Sequence, residues 1–194
     1  MNQINFDVDD GVNFGLWDDP LSKFIYQDCM QSFLMDFPLH GLGDLGGGLN
    51  KWDKKFATKT IDIDPKKQPD IVDNILTHQG DYKSLLCRYV LHYLSDKEIG
   101  ILFENIANYF LGKMLVIQFH QDGVDLQIKK DISNKSGEGI KYFRTFECLK
   151  NLIPNIQTIK SFDYIVSPSF YKNRLNIDTD ISHKETVTAF YLEF

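Results

Sequence analysis

Leu42-Gly43-Asp44-Leu45-Gly46-Gly47-Gly48-Leu49-Asn50-Lys51-Trp52 is the stretch on which the fold turns. Apolar residues lead into an acid, Asp44, and three consecutive glycines follow, Gly46, Gly47 and Gly48. Leu49 to Trp52 can then begin a helix. The order is strand, glycine-rich turn, helix. Glycine lets the backbone take positive φ and approach a ligand closely. The helix N-terminus behind the turn offers free N–H groups and a positive dipole end to a carboxylate or phosphate. A turn needed only for packing has the same composition, so the glycines alone are a weak sign.

The surrounding sequence strengthens it. In this arrangement a second acid ends the next strand and holds a ribose by its hydroxyls. Asp62, within Thr60-Ile61-Asp62-Ile63-Asp64-Pro65, stands in that place. The interval from Asp44 to Asp62 accommodates a strand, a turn, a short helix at Asn50–Lys55 and a second strand at Phe56–Ile63. After a loop at Pro65–Gln68, a third strand is expected over Asp70–Ile75. The apolar run Leu85–Leu94 supplies a fourth strand, and Ser95-Asp96 is a plausible cap for a helix over Lys97–Leu111. Ile99, Leu102, Phe103, Ile106, Tyr109 and Phe110 recur on one face of that helix, and Gly112 ends it. Lys113–His120 carries the run Met114-Leu115-Val116-Ile117, which suits a strand buried on both faces.

Further on, Gln121–Gly139 reads as a polar loop and Ile140–Leu152 as a helix halted by Pro154. Ile156–Val166 and Glu185–Phe194 read as strands, joined by the polar stretch Ser167–Lys184. Two closing strands joined without a helix suit an antiparallel pair at the edge of the sheet.

Asp44-Leu45-Gly46-Gly47-Gly48 resembles the first motif of the class I S-adenosylmethionine-dependent methyltransferases, an acid followed by glycines at alternate positions. The matching positions are Asp44, Gly46, Gly48 and Asn50, with Asn50 replacing the third glycine. Asparagine tolerates left-handed geometry better than most residues. Val90-Leu91-His92-Tyr93-Leu94-Ser95-Asp96 resembles the phrase after the fourth strand of that family. The resemblance spans roughly Leu39 to Phe194. It implies an α/β, Rossmann-like methyltransferase fold: a mostly parallel seven-stranded sheet with an antiparallel C-terminal strand and flanking helices. It also implies S-adenosyl-L-methionine as methyl donor and S-adenosyl-L-homocysteine as product.

The resemblance divides the chain into residues 1–38, an N-terminal arm and helix, and residues 39–194, the donor-binding domain. The arm, Met1–Asp19, is acidic and carries Phe14 and Trp17; the helix, Pro20–Asp36, repeats Leu21, Phe24, Ile25, Cys29, Phe33 and Leu34 at helical spacing. Mobile termini are ordinary, and a lid over the donor is the functional alternative.

Composition bounds the partners. The 194 residues suit one domain with a sizeable core. A net charge of −6 argues mildly against a broad nucleic-acid surface. No leader or membrane-spanning stretch is evident. Cys29, Cys87 and Cys148 are odd in number and widely spaced, as expected of thiols in a reducing, cytoplasmic setting.

On the donor side the resemblance implies Asp44, Gly46 and Gly48 near the methionine end, Asp62 at the ribose and Asp73 or Asn74 at the adenine, with Asn50 and Ile63 also among the donor-binding residues. Arg88 joins this set, with an anionic substrate or an ion pair as its other uses. The acceptor belongs at the carboxyl ends of the fourth and fifth strands. His120, Tyr93 and His92 are the candidates for catalysis there, His120 foremost because its ordinary pKa lies near working pH. No Asn/Asp-Pro-Pro-Tyr/Phe phrase follows the fourth strand, and Cys87 is followed by Arg88 without a Pro-Cys pair. Both absences weigh against DNA-base chemistry. A small-molecule acceptor is the first expectation. The alternatives are RNA, favoured by a basic groove of Lys129, Lys130, Lys135, Lys141 and Arg144, and a non-catalytic cofactor- or partner-binding subunit.

Overall fold

The computed structural model describes residues 32–48, 56–120, 130, 140–166 and 183–194, without the side chains of 164–166 and 183–185. Seven strands form one sheet: β1 (Leu42–Leu45), β2 (Lys59–Asp62), β3 (Ile71–Val72), β4 (Ser84–Arg88), β5 (Lys113–His120), β6 (Ile156–Val166) and β7 (His183–Glu193). Their order across the sheet is β3-β2-β1-β4-β5-β7-β6. The pairings among β3, β2, β1, β4 and β5 are parallel, and β7 runs antiparallel to both β5 and β6. The expected sheet, with its closing antiparallel strand, is the observed one.

Strand order reverses between β1 and β4. Chain leaving β1 turns outward to β2, and chain leaving β4 turns the other way to β5. Such a switch point opens a crevice at the carboxyl ends of the strands, where α/β sheets bind ligands.

Two described helices pack on the sheet, α1 (Asp96–Tyr109) and α2 (Phe146–Leu152). Helix α1 begins with a complete capping box. Ser95 Oγ accepts from the Glu98 N–H, and the Glu98 carboxylate accepts from the Ser95 N–H. Its buried face is Ile99, Leu102, Phe103 and Ile106. Each such side chain contributes about 1.5–3 kcal/mol by leaving water. They join Leu45, Leu85, Cys87, Met114, Val116, Phe190 and Leu192 in one core. The alternate strand residues Leu42, Leu86, Leu115 and Ile117 are buried too, so the central strands are covered on both faces. Phe33, Leu34 and Phe37 add to the interior, and the Tyr191 hydroxyl donates to the Phe33 carbonyl at 2.7 Å.

Several boundaries differ from expectation, each for a local reason. Strand β1 begins at Leu42 instead of Leu39, because Gly41 takes φ +75° and turns the chain. Strand β2 begins at Lys59, after Ala57 at φ +49°. Strand β3 stops at Val72, where Asn74 starts an Asx turn by accepting from the Leu76 N–H at 3.0 Å. Pro65–Lys67 is a 3₁₀ turn capped by Asp64. Helix α2 is the largest departure. It starts at Phe146, capped by Thr145, and residues 140–145 are not helical. Arg144 explains this, since its side chain is bonded to the loop after β4 (below). The Asn50–Lys55 helix, the N-terminal arm and the 121–139 loop lie outside the described residues, as does most of the Pro20–Asp36 helix.

Candidate functional site

The glycine turn closes the carboxyl end of β1. The Gly46 N–H donates to the Ile61 carbonyl at 2.7 Å, and the Gly47 N–H reaches the carbonyls of Asp44 and Ile61 at 3.2 Å each. Gly46 sits at φ +71° and Gly48 at φ +57°, a region that penalises any Cβ. At Gly46 a Cβ would also run into Val90, whose Cγ1 would lie 3.3 Å away and whose Cγ2 would be closer still. Val90 belongs to the loop after β4, so this turn and that loop are packed to glycine dimensions.

Asp44 is fully buried beneath the turn. Its Oδ2 accepts from Arg88 Nη2 at 3.0 Å, joining adjacent strand ends in a buried ion pair. Asp62, at the end of β2, faces the same turn. Its Oδ2 accepts from the Gly48 N–H at 3.0 Å and lies 3.5 Å from Lys67 Nζ, while Oδ1 accepts from the Asp64 N–H at 2.9 Å. Beside it, Ile63 is 66% exposed.

Asp73 is the next acid outward. Asp62 pairs in register with Val72, and the Asp73 N–H continues that ladder by donating to the Asp62 carbonyl at 3.1 Å. The two carboxylates therefore stand at neighbouring strand ends. Asp73 Oδ2 is 2.8 Å from His78 Nδ1, and Oδ1 accepts from the Asn74 N–H at 2.7 Å. The His78 bond, then the Asn74 bond, hold the Asp73 carboxyl below its usual range. The Asn74 side chain is used within its own turn.

On the other side of the switch point stands an aromatic rim. Tyr89 follows β4 at φ +54°, strained for a residue with a Cβ, at a cost of about 1–3 kcal/mol. Its ring stacks on Phe119 at 6.1 Å between centroids, and Phe119 also meets His92 at 4.8 Å. Tyr93 lies 4.0 Å from the His92 ring and is partly exposed. His92 itself is buried in a 3₁₀ turn, Leu91–Tyr93, and does not start α1, whose cap is Ser95. Gln118 Nε2 donates to His92 Nδ1 at 3.0 Å, so the ring proton resides on Nε2. Burial lowers His92 to about 3 and keeps it neutral. His120 ends β5, buried, with its ring 5.5 Å from Phe146.

The structure thus gathers Asp44, Gly46, Gly48, Asp62, Ile63, Asp73 and Arg88 along the ends of β1 to β4, and His92, Tyr93 and His120 along the ends of β4 and β5. Asn50, Lys129, Lys135 and most of the acceptor-side loop lie outside the described residues. Arg144 does not line a groove. It is buried and donates to the carbonyls of Leu91 (2.8 Å) and Leu94 (2.6 Å) and to Asp96 Oδ1 (2.7 Å from Nη2, 2.9 Å from Nε). His78 and Tyr82 stand beside Asp73, and no local signal in the sequence sets them there. The spacing of Asp73, His78 and Tyr82 matches no motif, and only the fold brings them together.

No protein-family model matches the chain, and no curated protein is a significant match. Solved structures do match. A protein of Bacillus halodurans C-125 superposes with a TM-score of 0.63 at 8% identity, over 86% of this chain and 98% of that one. Geranyl diphosphate C-methyltransferase of Streptomyces coelicolor A3(2), solved with Mg2+, geranyl diphosphate and S-adenosyl-L-homocysteine, gives 0.60 at 11% identity over 94% and 90%. Phosphoethanolamine N-methyltransferase 2 of Haemonchus contortus, solved with S-adenosyl-L-methionine, gives 0.55 at 10% identity, over 87% of this chain and 53% of that one. Strand order, closing antiparallel strand and structural neighbours agree: this chain has the fold of the class I S-adenosylmethionine-dependent methyltransferases.

Proposed function

We propose that the protein is a methyltransferase that takes its methyl group from S-adenosyl-L-methionine and passes it to a small-molecule acceptor. The observation that carries the reading is the pairing of a turn built to glycine dimensions with the Asp62 carboxylate, 3.0 Å from the Gly48 N–H. A nucleoside with a charged tail suits that cradle: glycines without side chains for a close approach of its tail, an acid for vicinal hydroxyls. S-adenosyl-L-methionine supplies a sulfonium methyl that a nucleophile can take by direct displacement.

The residues then divide the work. Gly46 and Gly48 bring the backbone close to the methionine end, and Arg88 holds the Asp44 carboxylate in place beneath it through their ion pair. Asp62 accepts from the ribose, exchanging its hold on the Gly48 N–H for hydroxyl donors. Ile63 offers an apolar surface to the purine, and Asp73 accepts from its amino group. Asn50 sits in the third glycine position of the motif and is assigned to the same pocket. Across the switch point Tyr93, Tyr89 and Phe119 form the wall for the acceptor. His120 is the proton acceptor of choice. His92, held near 3, is too weak a base at neutral pH and instead keeps the rim in shape. The aromatic wall favours a compact organic acceptor. Arg144, the arginine of the imagined basic groove, is bonded inside the protein, which leaves RNA the weaker reading.

Titration calorimetry with S-adenosyl-L-methionine and S-adenosyl-L-homocysteine tests the donor. Wild type should bind both saturably. Asp62→Asn, which keeps one acceptor oxygen but no charge, should bind about 10–100-fold more weakly, the range of one or two hydrogen bonds to a charged group. A folded wild type that binds neither would sink the reading and favour a non-catalytic, partner-binding subunit.

A further inference from the structure

We propose that Tyr82 and His78 form a relay that fixes the Asp73 carboxylate as the reader of the donor's purine, making His78 a positioning residue for base specificity. The inference rests on the donor reading above and goes beyond it in naming residues outside the strand ends.

The chain of contacts is continuous. His78 Nδ1 lies 2.8 Å from Asp73 Oδ2, and His78 Nε2 lies 2.8 Å from the Tyr82 hydroxyl. A neutral imidazole has one donor and one acceptor nitrogen. With Asp73 ionised, Nδ1 must donate to it, so Nε2 accepts from Tyr82. Burial, then the charges of Asp73 and Asp70, raise the Tyr82 phenol and keep its proton in place. The hydroxyl thus selects the tautomer that aims a proton at Asp73.

The rest of the fold seats this relay. His78 is buried, and its carbonyl accepts from Asn105 Nδ2 of α1 at 2.8 Å. The Tyr82 ring occupies space that exists only because two neighbours lack side chains. A Cβ on Gly43 would stand 2.9 Å from its Cγ, and one on Gly80 would overlap the ring. Gly43 belongs to β1, so the phenol is positioned by the same strand that carries Asp44.

Asp73 keeps capacity for a ligand. Its side chain is 46% exposed, and a carboxylate has about four acceptor sites, of which two are used. An acceptor-only group held ionised takes an N–H donor and repels a carbonyl oxygen. It therefore distinguishes a 6-amino from a 6-oxo purine.

The experiment compares the affinities of S-adenosylhomocysteine and S-inosylhomocysteine, which carries oxygen in place of the 6-amino group. Wild type should prefer the adenosyl compound by about tenfold or more, the worth of a hydrogen bond to a charged acceptor. His78→Ala should bring the ratio to within about threefold. Tyr82→Phe, which keeps the ring and removes only the hydroxyl, should lower the ratio partway. His78→Asn, whose amide nitrogen can replace Nδ1 as donor, should restore most of it. A folded His78→Ala that weakens both ligands equally, or keeps the wild-type ratio, overturns the relay while leaving the donor reading intact. A wild type that binds the two alike also overturns it. A wild type that binds neither brings down the donor reading, and this inference with it.

Discussion

Alanine at Gly46 introduces a side chain into the tightest packing of the glycine turn. Two costs follow from the structure. A non-glycine residue at φ +71° loses roughly 1–2 kcal/mol against glycine. The added methyl meets Val90, with Cγ1 at 3.3 Å and Cγ2 nearer, and forcing a methyl into a packed site costs about 1–3 kcal/mol. Gly46→Ala should therefore lower stability by roughly 2–5 kcal/mol, the sum of these two ranges. The second cost depends on Val90, and Val90→Ala removes the offending atoms. Alone, Val90→Ala should cost about 1.5–2 kcal/mol for two buried methyl groups. Combined, the two substitutions should cost less than their sum by about 1–3 kcal/mol, because the clash is gone while the backbone cost persists. Urea unfolding of the four proteins closes the cycle. Additivity to within about 0.5 kcal/mol would refute the packing argument, since independent sites behave that way.

Two further perturbations probe the frame around the site. Burial lowers His92 to about 3, against an ordinary 6.5, so the unfolded chain binds the extra proton between those values. Stability at neutral pH is then lost as pH falls below about 6.5, with a slope approaching 1.4 kcal/mol per pH unit, and His92→Gln should flatten that slope; equal slopes for the two proteins would show that His92 is not the titrating group. Ser95→Ala removes the Oγ half of the capping box, leaving the Glu98 carboxylate on the backbone N–H of residue 95, and should cost about 1 kcal/mol in thermal or urea unfolding; no loss would mean that Glu98 caps α1 unaided.

The central sheet was legible because its signals are local. The acid of β1 with the glycines after it, the acid that ends β2 and the apolar run of β5 each identify their element without help from distant chain. The α1 cap was legible for the same reason, since Ser95 and Glu98 lie one turn apart. The start of α2 was not. Residues 140–145 have apolar spacing that suits a helix, but Arg144 bonds to carbonyls about 50 residues earlier, and the Lys141 and Tyr142 N–H groups donate to the His92 carbonyl. Tertiary hydrogen bonds overrode local preference. The Asp44–Arg88 pair, 44 residues apart, follows from β1 lying next to β4 and from nothing nearer in sequence. His78 was hidden in the same way, since the residues that give it meaning are Asp73 in a turn and Tyr82 seated against Gly43.

Arg144 has a dynamic consequence. One guanidinium holds the carbonyls of Leu91 and Leu94 and the Asp96 carboxylate, while the backbone of Lys141 and Tyr142 grips His92 from the same side. These two segments are distant in sequence, yet neither can leave without exposing the other's polar groups. They form a single unit of local opening. Their amide protons should exchange at a common rate, and any widening of the rim beside Tyr93 has to lift both segments at once.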